Sequence, residues 1–171
     1  MNTGTFSRGI LLLTAVSGFA FGNADKVGNH NIGAGAGFIT GYGLSYRRWF
    51  GRFGFQVTGA PYYVNNKHNR ENTSSIGVTA LMKITEAKFV NLIAYAGPHY
   101  FISEYRYKTN SDIYYDSDRA ENVFFGAGPG LDFHFLNISL NLMFGYFFEA
   151  RLAEHRYGTQ FSGDCALYYS F

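Results

Sequence analysis

The fold is decided by the stretch Ile138-Ser-Leu-Asn-Leu-Met-Phe-Gly-Tyr-Phe-Phe148. Its even positions are all bulky and apolar, whereas most of its odd positions are polar or small. Successive side chains of a β-strand point to opposite faces, so a period of two predicts a strand with one apolar face. The stretch also has about the 9–11 residues that a strand needs to cross a bilayer at a tilt.

The same alternation recurs along the chain from Asn29 onward, and no segment there has a helical period. We predict eight strands, at residues 30–39, 42–50, 53–64, 74–84, 89–104, 121–135, 137–149 and 159–171. The second is the least regular, because Arg47 and Arg48 place one charge on each face.

Composition agrees with thinly spread hydrophobicity. Of the 171 residues, 19% are aromatic and only 15% are charged, against the ~25% of an ordinary soluble domain. A formal charge of +2 with scattered basic residues excludes a nucleic-acid binder as the first interpretation. Cys165 is the one cysteine, so an internal disulfide is excluded.

The N-terminus is typical of an exported protein. Arg8 is the only charge before Asp25, and residues 9–21 are almost entirely apolar. This run is shorter than the ~20 residues of a spanning helix. We predict a signal peptide at residues 1–22, cleaved near 22 or 24, and a barrel domain at 23–171. A buried helix or a membrane anchor is the alternative.

Connection lengths alternate along the chain. If the N-terminus is periplasmic, the periplasmic connections are short: Gly51-Arg52, residues 85–88 and the neighbourhood of Leu136. The external connections at 65–73, 105–120 and 150–158 are long and polar, and only the one near Thr40-Gly41 is short. Short periplasmic turns with long external loops are typical of bacterial outer-membrane barrels.

We therefore predict an all-β fold: an eight-stranded antiparallel transmembrane β-barrel, closed as an up-and-down meander. A sheet in lipid must close, because hydrocarbon leaves unpaired backbone groups unsatisfied. Its apolar faces point outward, since the reverse would place Lys83, Asp132 and Asp164 in hydrocarbon. Eight strands leave a lumen that side chains fill, which argues against a diffusion pore. The alternative is a soluble lipocalin-like barrel or sandwich with its apolar face inside.

The C-terminal run Gly163-Asp-Cys-Ala-Leu-Tyr-Tyr-Ser-Phe171 resembles the closing strand of outer-membrane proteins. The matching positions are Leu167, Tyr169 and Phe171, whereas Cys165 departs from the usual bulky residue. The resemblance implies that these three form an assembly signal read by the barrel-assembly machinery, with periplasmic chaperones as earlier partners.

Residues 29–171 resemble the small eight-stranded class that includes OmpX, OmpW and the transmembrane part of OmpA. The resemblance implies a monomer in the outer membrane of a Gram-negative bacterium, in contact with membrane lipid and lipopolysaccharide. The resemblance covers the barrel and does not lead us to expect that the protein anchors the cell wall.

Polar residues on the inward faces are the first candidate site. We predict that they form a structural network that plugs the lumen, since charges in a narrow barrel must be paired. A proton-linked or catalytic role for the Asp132/His134 pair is the alternative. The predicted network comprises Arg47, Gln56, Lys83, Asn91, Asp132, His134, Asn141 and Asp164.

Prolines inside predicted strands are the second candidate. Pro98 and Pro129 lie on the neighbouring fifth and sixth strands, and each removes a ladder donor. Missing hydrogen bonds and missing side chains suggest a lateral gate to lipid. The alternative is that the glycines make room for Tyr95, Phe101, Phe124 and Phe147. The predicted gate comprises Gly97, Pro98, Gly126, Gly128, Pro129 and Gly130.

External cations are the third candidate, and they suit phosphate oxygens of the outer-leaflet glycolipid; ordinary solvated loops are the alternative. They are Lys67, Arg70, Arg106, Lys108, Arg119, Arg151 and Arg156.

The sequence carries no motif for a metal site, a cofactor or catalysis. Asp112, Asp116 and Asp118 lack the spacing of a metal-binding loop. The His-x-Ser motif of lipid A deacylases is absent, because Arg156 and Tyr157 follow His155.

We therefore predict a non-enzymatic barrel with a structural or surface-interaction role through its external loops. The alternatives are a lateral-access carrier of lipid or small hydrophobic molecules and, third, a lipid A-modifying enzyme.

Overall fold

The computed structural model describes residues 28–65, 69–108 and 114–171, so the predicted signal peptide lies outside the described residues. Eight strands form a closed barrel in which each is antiparallel to its neighbours. They are β1 (His30–Ala36), β2 (Gly43–Phe50), β3 (Phe53–Asn65), β4 (Asn69–Glu86), β5 (Val90–Lys108), β6 (Tyr114–Phe135), β7 (Ile138–Arg151) and β8 (Arg156–Ser170). The meander closes where β8 pairs with β1, from Asn31 opposite Ser170 to Ala36 opposite Cys165. The predicted fold class is confirmed.

The apolar faces point outward. On β7, Ile138 and Phe144 are 52% and 47% exposed, whereas Asn141 and Met143 between them are 0% exposed. Exposed apolar side chains cover the other strands as well, far beyond the few hundred Å² that a soluble monomer tolerates. This arrangement excludes the lipocalin-like alternative, whose apolar face is internal. Among residues 28–65, 69–108 and 114–171, no helix is long and apolar enough to span a bilayer.

The turns at the end of the barrel where β1 begins, which we call the periplasmic end after the predicted orientation, are as short as predicted. Phe50 pairs with Phe53 and Phe135 with Ile138, so two residues make each turn. Gly51 and Leu136 take φ values of 63° and 53° there, as two-residue hairpins require.

The external side differs from the prediction, because most of the segments predicted as loops 65–73 and 105–120 are strand. β4, β5 and β6 have 18, 19 and 22 residues, against 7 and 8 in β1 and β2. The prediction was wrong because polar residues pair across strands as well as apolar ones. For example, the hydroxyls of Thr73 and Ser103 are 3.2 Å apart.

The connection between β1 and β2 also differs from the prediction. β1 was predicted to reach residue 39, but it ends at Ala36, and residues 37–42 fold into the lumen instead of forming an external turn. We call these residues the inner loop. Gly37 and Gly41 exchange two backbone hydrogen bonds of 3.1 and 3.0 Å, and Gly41 has a φ of 86°. Ile39 and Thr40, at the tip of the inner loop, are fully buried.

Candidate functional site

The periplasmic half of the lumen is built around Arg47 of β2. Its Nη1 donates to Asp132 Oδ1 at 3.1 Å, and its Nη2 donates to Asn31 Oδ1 at 3.1 Å and to Ser139 Oγ at 2.7 Å. The side chains of Arg47 and Asp132 are 1% and 0% exposed. A buried ion pair is stable only when its remaining groups are hydrogen-bonded, and three strands, β1, β6 and β7, supply the partners of Arg47 here.

Asp132 extends this cluster toward β5. Asn141 Nδ2 donates to Asp132 Oδ1, and His134 Nε2 lies 3.2 Å from Asp132 Oδ2. His134 Nε2 also lies 2.6 Å from Asn91 Nδ2. Five predicted lumen residues therefore meet in one network, which we call the Arg47 layer together with Asn31, Ser139 and Tyr168.

Aromatic rings cover the Arg47 layer from within the barrel. The Arg47 guanidinium carbon lies 4.2 Å from the ring centroid of Tyr168 and 5.5 Å from that of Trp49. Lys83 Nζ lies 5.0 Å from the Trp49 ring and 3.8 Å from Glu86 Oε1. Lys83 thus lies at the edge of the network, and its charge is paired with Glu86 at the periplasmic rim.

Gln56 is connected to the Arg47 layer by a chain of hydroxyls that ends at Tyr168. Gln56 Nε2 donates to Thr58 Oγ1 at 3.1 Å, Thr58 contacts Ser45 Oγ at 2.8 Å, and Ser45 contacts the Tyr168 hydroxyl at 2.8 Å. Sequence reasoning missed Ser45, Thr58 and Tyr168, although the strand period places all three on the lumen face.

Asp164, the eighth predicted residue, stands apart and holds the inner loop. Its carboxylate accepts hydrogen bonds from the backbone N–H groups of Phe38, Ile39 and Thr40 at 3.2, 3.2 and 3.0 Å, and Ser162 Oγ donates to it as well. Charge-assisted hydrogen bonds of this kind are about twice as strong as neutral ones. Asp164 therefore fastens the inner loop to β8.

His99 fastens the other side of the inner loop. Its Nδ1 lies 2.9 Å from the carbonyl oxygen of Phe38, which can only accept, so Nδ1 carries a proton. Its Nε2 lies 2.9 Å from Ser75 Oγ, which itself accepts from the backbone N–H of Tyr42 at 3.0 Å. The neutral tautomer of His99 with Ser75 as donor satisfies every group, and this fully buried pair was not predicted.

Glycines on the inner wall make room for the loop. A Cβ on Gly77 would lie 2.3 Å from the carbonyl oxygen of Thr40, and one on Gly126 would lie 2.7 Å from Ile39 Cδ1. Beside them the Phe38 ring packs on Phe147 at 5.2 Å between centroids. The lumen is therefore filled from β4 to β8 at this level.

The predicted gate residues lie in a closed wall. The β5–β6 ladder runs without a break from Val90 opposite Phe133 to Tyr105 opposite Asp118, through both prolines. The unpaired positions lie on the outer sides, at Gly97 and Pro98 toward β4 and at Gly128 and Pro129 toward β7. This placement follows from the missing proline N–H, which in each strand would have bonded to that outer neighbour.

Close backbone contact fills these unpaired positions. A Cβ on Gly97 would lie 2.1 Å from the Val78 oxygen, and one on Gly128 would lie 2.0 Å from the Phe144 oxygen. At Gly130 a Cβ would lie 2.7 Å from Met143 Cγ. The described wall has no opening between β5 and β6, and the lateral gate stays a prediction.

Known structures with this architecture are outer-membrane barrels. The N-terminal β-barrel domain of Pseudomonas aeruginosa OprF superposes with a TM-score of 0.53 at 13% identity, over 85% of this chain and 100% of that domain. The chain has the fold of a small outer-membrane β-barrel.

Two further barrels are similar to this outer-membrane barrel. Neisserial surface protein A gives a TM-score of 0.48 at 16% identity, over 84% of this chain and 97% of that one. Ail, the attachment invasion locus protein of Yersinia pestis, gives 0.46 at 15% identity, over 83% and 96%. No family model and no curated protein matches the sequence.

At the external rim, the arginines whose side chains the structure describes pair with carboxylates. Arg119 lies 3.4 Å from Glu121, and Arg151 Nε donates to Glu149 Oε1 at 2.9 Å; the latter bond raises the pKa of Arg151. Arg106 pairs with Glu104, and Arg156 lies 3.6 Å from Glu154. Arg119 and Arg151 line one cavity of about 250 Å³. Lys67 lies outside the described residues.

No metal-binding cluster forms in the described part of the barrel. Ser162 Oγ donates to Asp164, and Glu149 accepts from Arg151 and Gln160, so neither contacts His155. No group of three His, Cys, Asp or Glu side chains is placed to hold an ion there.

The residues of the predicted assembly signal all lie on the outer face. Leu167 and Phe171 are 56% and 62% exposed, and Tyr169 is half-buried beside them. The Phe171 N–H donates to the His30 oxygen at 2.9 Å, which joins the C-terminus after β8 to the start of β1.

Proposed function

We propose that the protein is a non-enzymatic outer-membrane barrel that carries an external sheet for surface interactions. The observation that carries this proposal is the unequal height of the strands. β3 to β6 continue on the external side, whereas β1 and β2 end near the membrane belt.

The external sheet has two open edges. β2 pairs with β3 only as far as Gly59, so residues 60–65 pair with β4 alone. β7 pairs with β6 only as far as Asn122, so residues 114–120 have no described partner on that side. Open strand edges present unpaired N–H and C=O groups, which an extended segment of another protein can pair with. At about 3.3 Å per residue, the β6 edge is roughly 20 Å long.

The filled lumen favours a role as a platform for surface interactions and argues against a role as a channel. The Arg47 layer closes the periplasmic half and the inner loop closes the external half, each with hydrogen-bonded partners. A barrel of eight strands has no room for a water channel beside such contents.

Lipid, lipopolysaccharide and assembly factors complete the proposal. We also propose that the chain is exported by a cleaved signal peptide, assembles through Leu167, Tyr169 and Phe171, and functions as a monomer. Arg119 and Arg151 are the external cations that suit a lipopolysaccharide phosphate best, because they share one cavity.

The test shortens the sheet and leaves the barrel intact. Ser103 and Ala120 are directly opposite, so Glu104–Arg119 can be replaced by the two-residue turn Asn-Gly. Cells displaying the full chain are expected to bind at least one protein of a panel of immobilised matrix and serum proteins. Cells displaying the shortened chain are expected to lose that binding. Heat-dependent gel migration checks that both barrels fold.

Lipid A mass spectrometry on the same cells tests the competing function. Unchanged lipid A together with sheet-dependent binding supports the proposal. Altered lipid A, or equal binding by both chains, contradicts it.

A further inference from the structure

Arg48 is a charged residue on the lipid-facing side of the barrel. Its neighbours Arg47 and Trp49 are buried in the lumen, so Arg48 points outward with Leu44 and Phe50. Among the described residues of the apolar belt, no other Lys, Arg, Asp or Glu points outward. It stands two residues before the end of β2, about 7 Å inside the periplasmic rim, at the depth of lipid headgroups.

Among the arginines whose side chains the structure describes, Arg48 differs from the others in its partners. Arg47, Arg106, Arg119, Arg151 and Arg156 each contact a carboxylate, and Arg52 donates to the Ile84 oxygen at 3.0 Å. The Arg48 guanidinium has only the Phe50 ring, at 4.7 Å from its centroid, and no acceptor among the described residues. Five N–H donors at the edge of the hydrocarbon require an acceptor from outside the chain.

A second donor lies beside Arg48. His30 is directly opposite it across the β1–β2 ladder, and such residues have Cβ atoms about 5 Å apart. His30 Nδ1 lies 2.7 Å from the Tyr46 hydroxyl. When that hydroxyl donates to Nδ1, the proton of the ring stays on Nε2.

Aromatic side chains border these two donors on the outer face. The rings of Tyr46 and Phe55 are 6.1 Å apart, and the His30 ring stacks on Phe171 at 6.0 Å. They form an apolar wall along which an acyl chain can lie.

We propose that Arg48 and His30 bind the phosphate of one inner-leaflet glycerophospholipid, whose acyl chain lies over Tyr46 and Phe55. A planar guanidinium binds phosphate through two parallel hydrogen bonds. This site lies at the opposite end of the barrel from the external sheet, so it holds or fails independently of the proposed function.

The test measures lipid retained by the purified full-length barrel in native mass spectrometry. The probes are phosphatidylglycerol and diacylglycerol with the same acyl chains, which lacks the phosphate. Arg48→Gln is expected to retain about tenfold less phosphatidylglycerol than the unchanged chain. Arg52→Gln, which removes the same charge from the same rim, is expected to stay within about twofold, and diacylglycerol is not retained.

Three outcomes would overturn the proposal: unchanged retention in Arg48→Gln, an equal loss in Arg52→Gln, or displacement of the lipid by millimolar inorganic phosphate. His30→Phe keeps the stacking on Phe171 and removes the second donor. This variant is expected to retain about threefold less phosphatidylglycerol than the unchanged chain. If Arg48→Gln does not fold, unchanged retention in His30→Phe would overturn the proposal.

Discussion

Arg47 is the largest fully buried side chain among the described residues. Asp132, Asn31 and Ser139 accept hydrogen bonds from its Nη1 and Nη2, and the Tyr168 ring covers its face. Moving this charge out of water is offset only while all of these partners are present. Removing the carboxylate alone therefore costs more than removing both charges.

Asp132→Asn is expected to lower the free energy of unfolding by about 3–5 kcal/mol, because it leaves Arg47 buried without an anion. Trp49 is the one tryptophan and lies beside Arg47, so its fluorescence during urea unfolding in lipid vesicles reports on this layer. The double variant Arg47→Met with Asp132→Leu is expected to recover at least half of the loss. A double variant less stable than Asp132→Asn would contradict this account.

The inner loop is the element that most changes the lumen, and one carboxylate holds three of its N–H groups. Asp164→Asn is expected to speed hydrogen exchange at Phe38, Ile39 and Thr40 by about 10- to 100-fold, because an amide has a single, neutral acceptor oxygen. Ser162→Ala removes one donor to Asp164 but keeps the carboxylate, so exchange at the same amides is expected to stay much closer to that of the unchanged chain. Equal exchange in both variants would show that Asp164 does not hold the loop.

Packing of the inner loop gives a separate prediction. Gly77→Ala is expected to expel the loop, because the added Cβ would lie 2.3 Å from backbone oxygen of Thr40. Gly163→Ala adds the same group on the lipid side, where its nearest atom is 3.8 Å away. Limited proteolysis in nanodiscs is expected to cut Gly77→Ala near residues 37–42 and to leave Gly163→Ala intact. Protection of both variants would contradict the packing argument.

The alternation in residues 138–148 was enough to predict β7 and the direction of both its faces, because a strand's period is a local property. The inner loop was not predictable in this way, since Phe38 and Ile39 continue the apolar pattern of β1 and their partner Asp164 lies 126 and 125 residues away. The sequence also did not predict which neighbouring strand loses a hydrogen bond at Pro129. Which neighbour loses its hydrogen bond depends on register, and the sequence does not show it.

At the scale of the whole barrel, the lumen contains two polar networks and one apolar cluster that includes residues beside each of them. The cluster comprises Ile39, Trp49, Leu81, Ile93, Tyr95, Phe124, Met143 and Phe147, with Phe101 packed against it. Trp49 of the cluster contacts the Arg47 guanidinium, and Ile39 belongs to the inner loop that Asp164 holds. No described hydrogen bond joins the two networks.

This separation predicts how variants combine. Sites without shared partners have additive effects within about 0.5 kcal/mol, whereas members of one network do not. The free energies of unfolding lost in Asp132→Asn and Asp164→Asn are therefore expected to add in the double variant. The free energy of unfolding lost in the double variant of Arg47→Met and Asp132→Asn is expected to be well below the sum of the two single losses. Each single change already breaks the same ion pair. Urea unfolding of the three single and two double variants measures both differences, and a coupling of more than about 1 kcal/mol between Asp132 and Asp164 would mean that the barrel holds one continuous network.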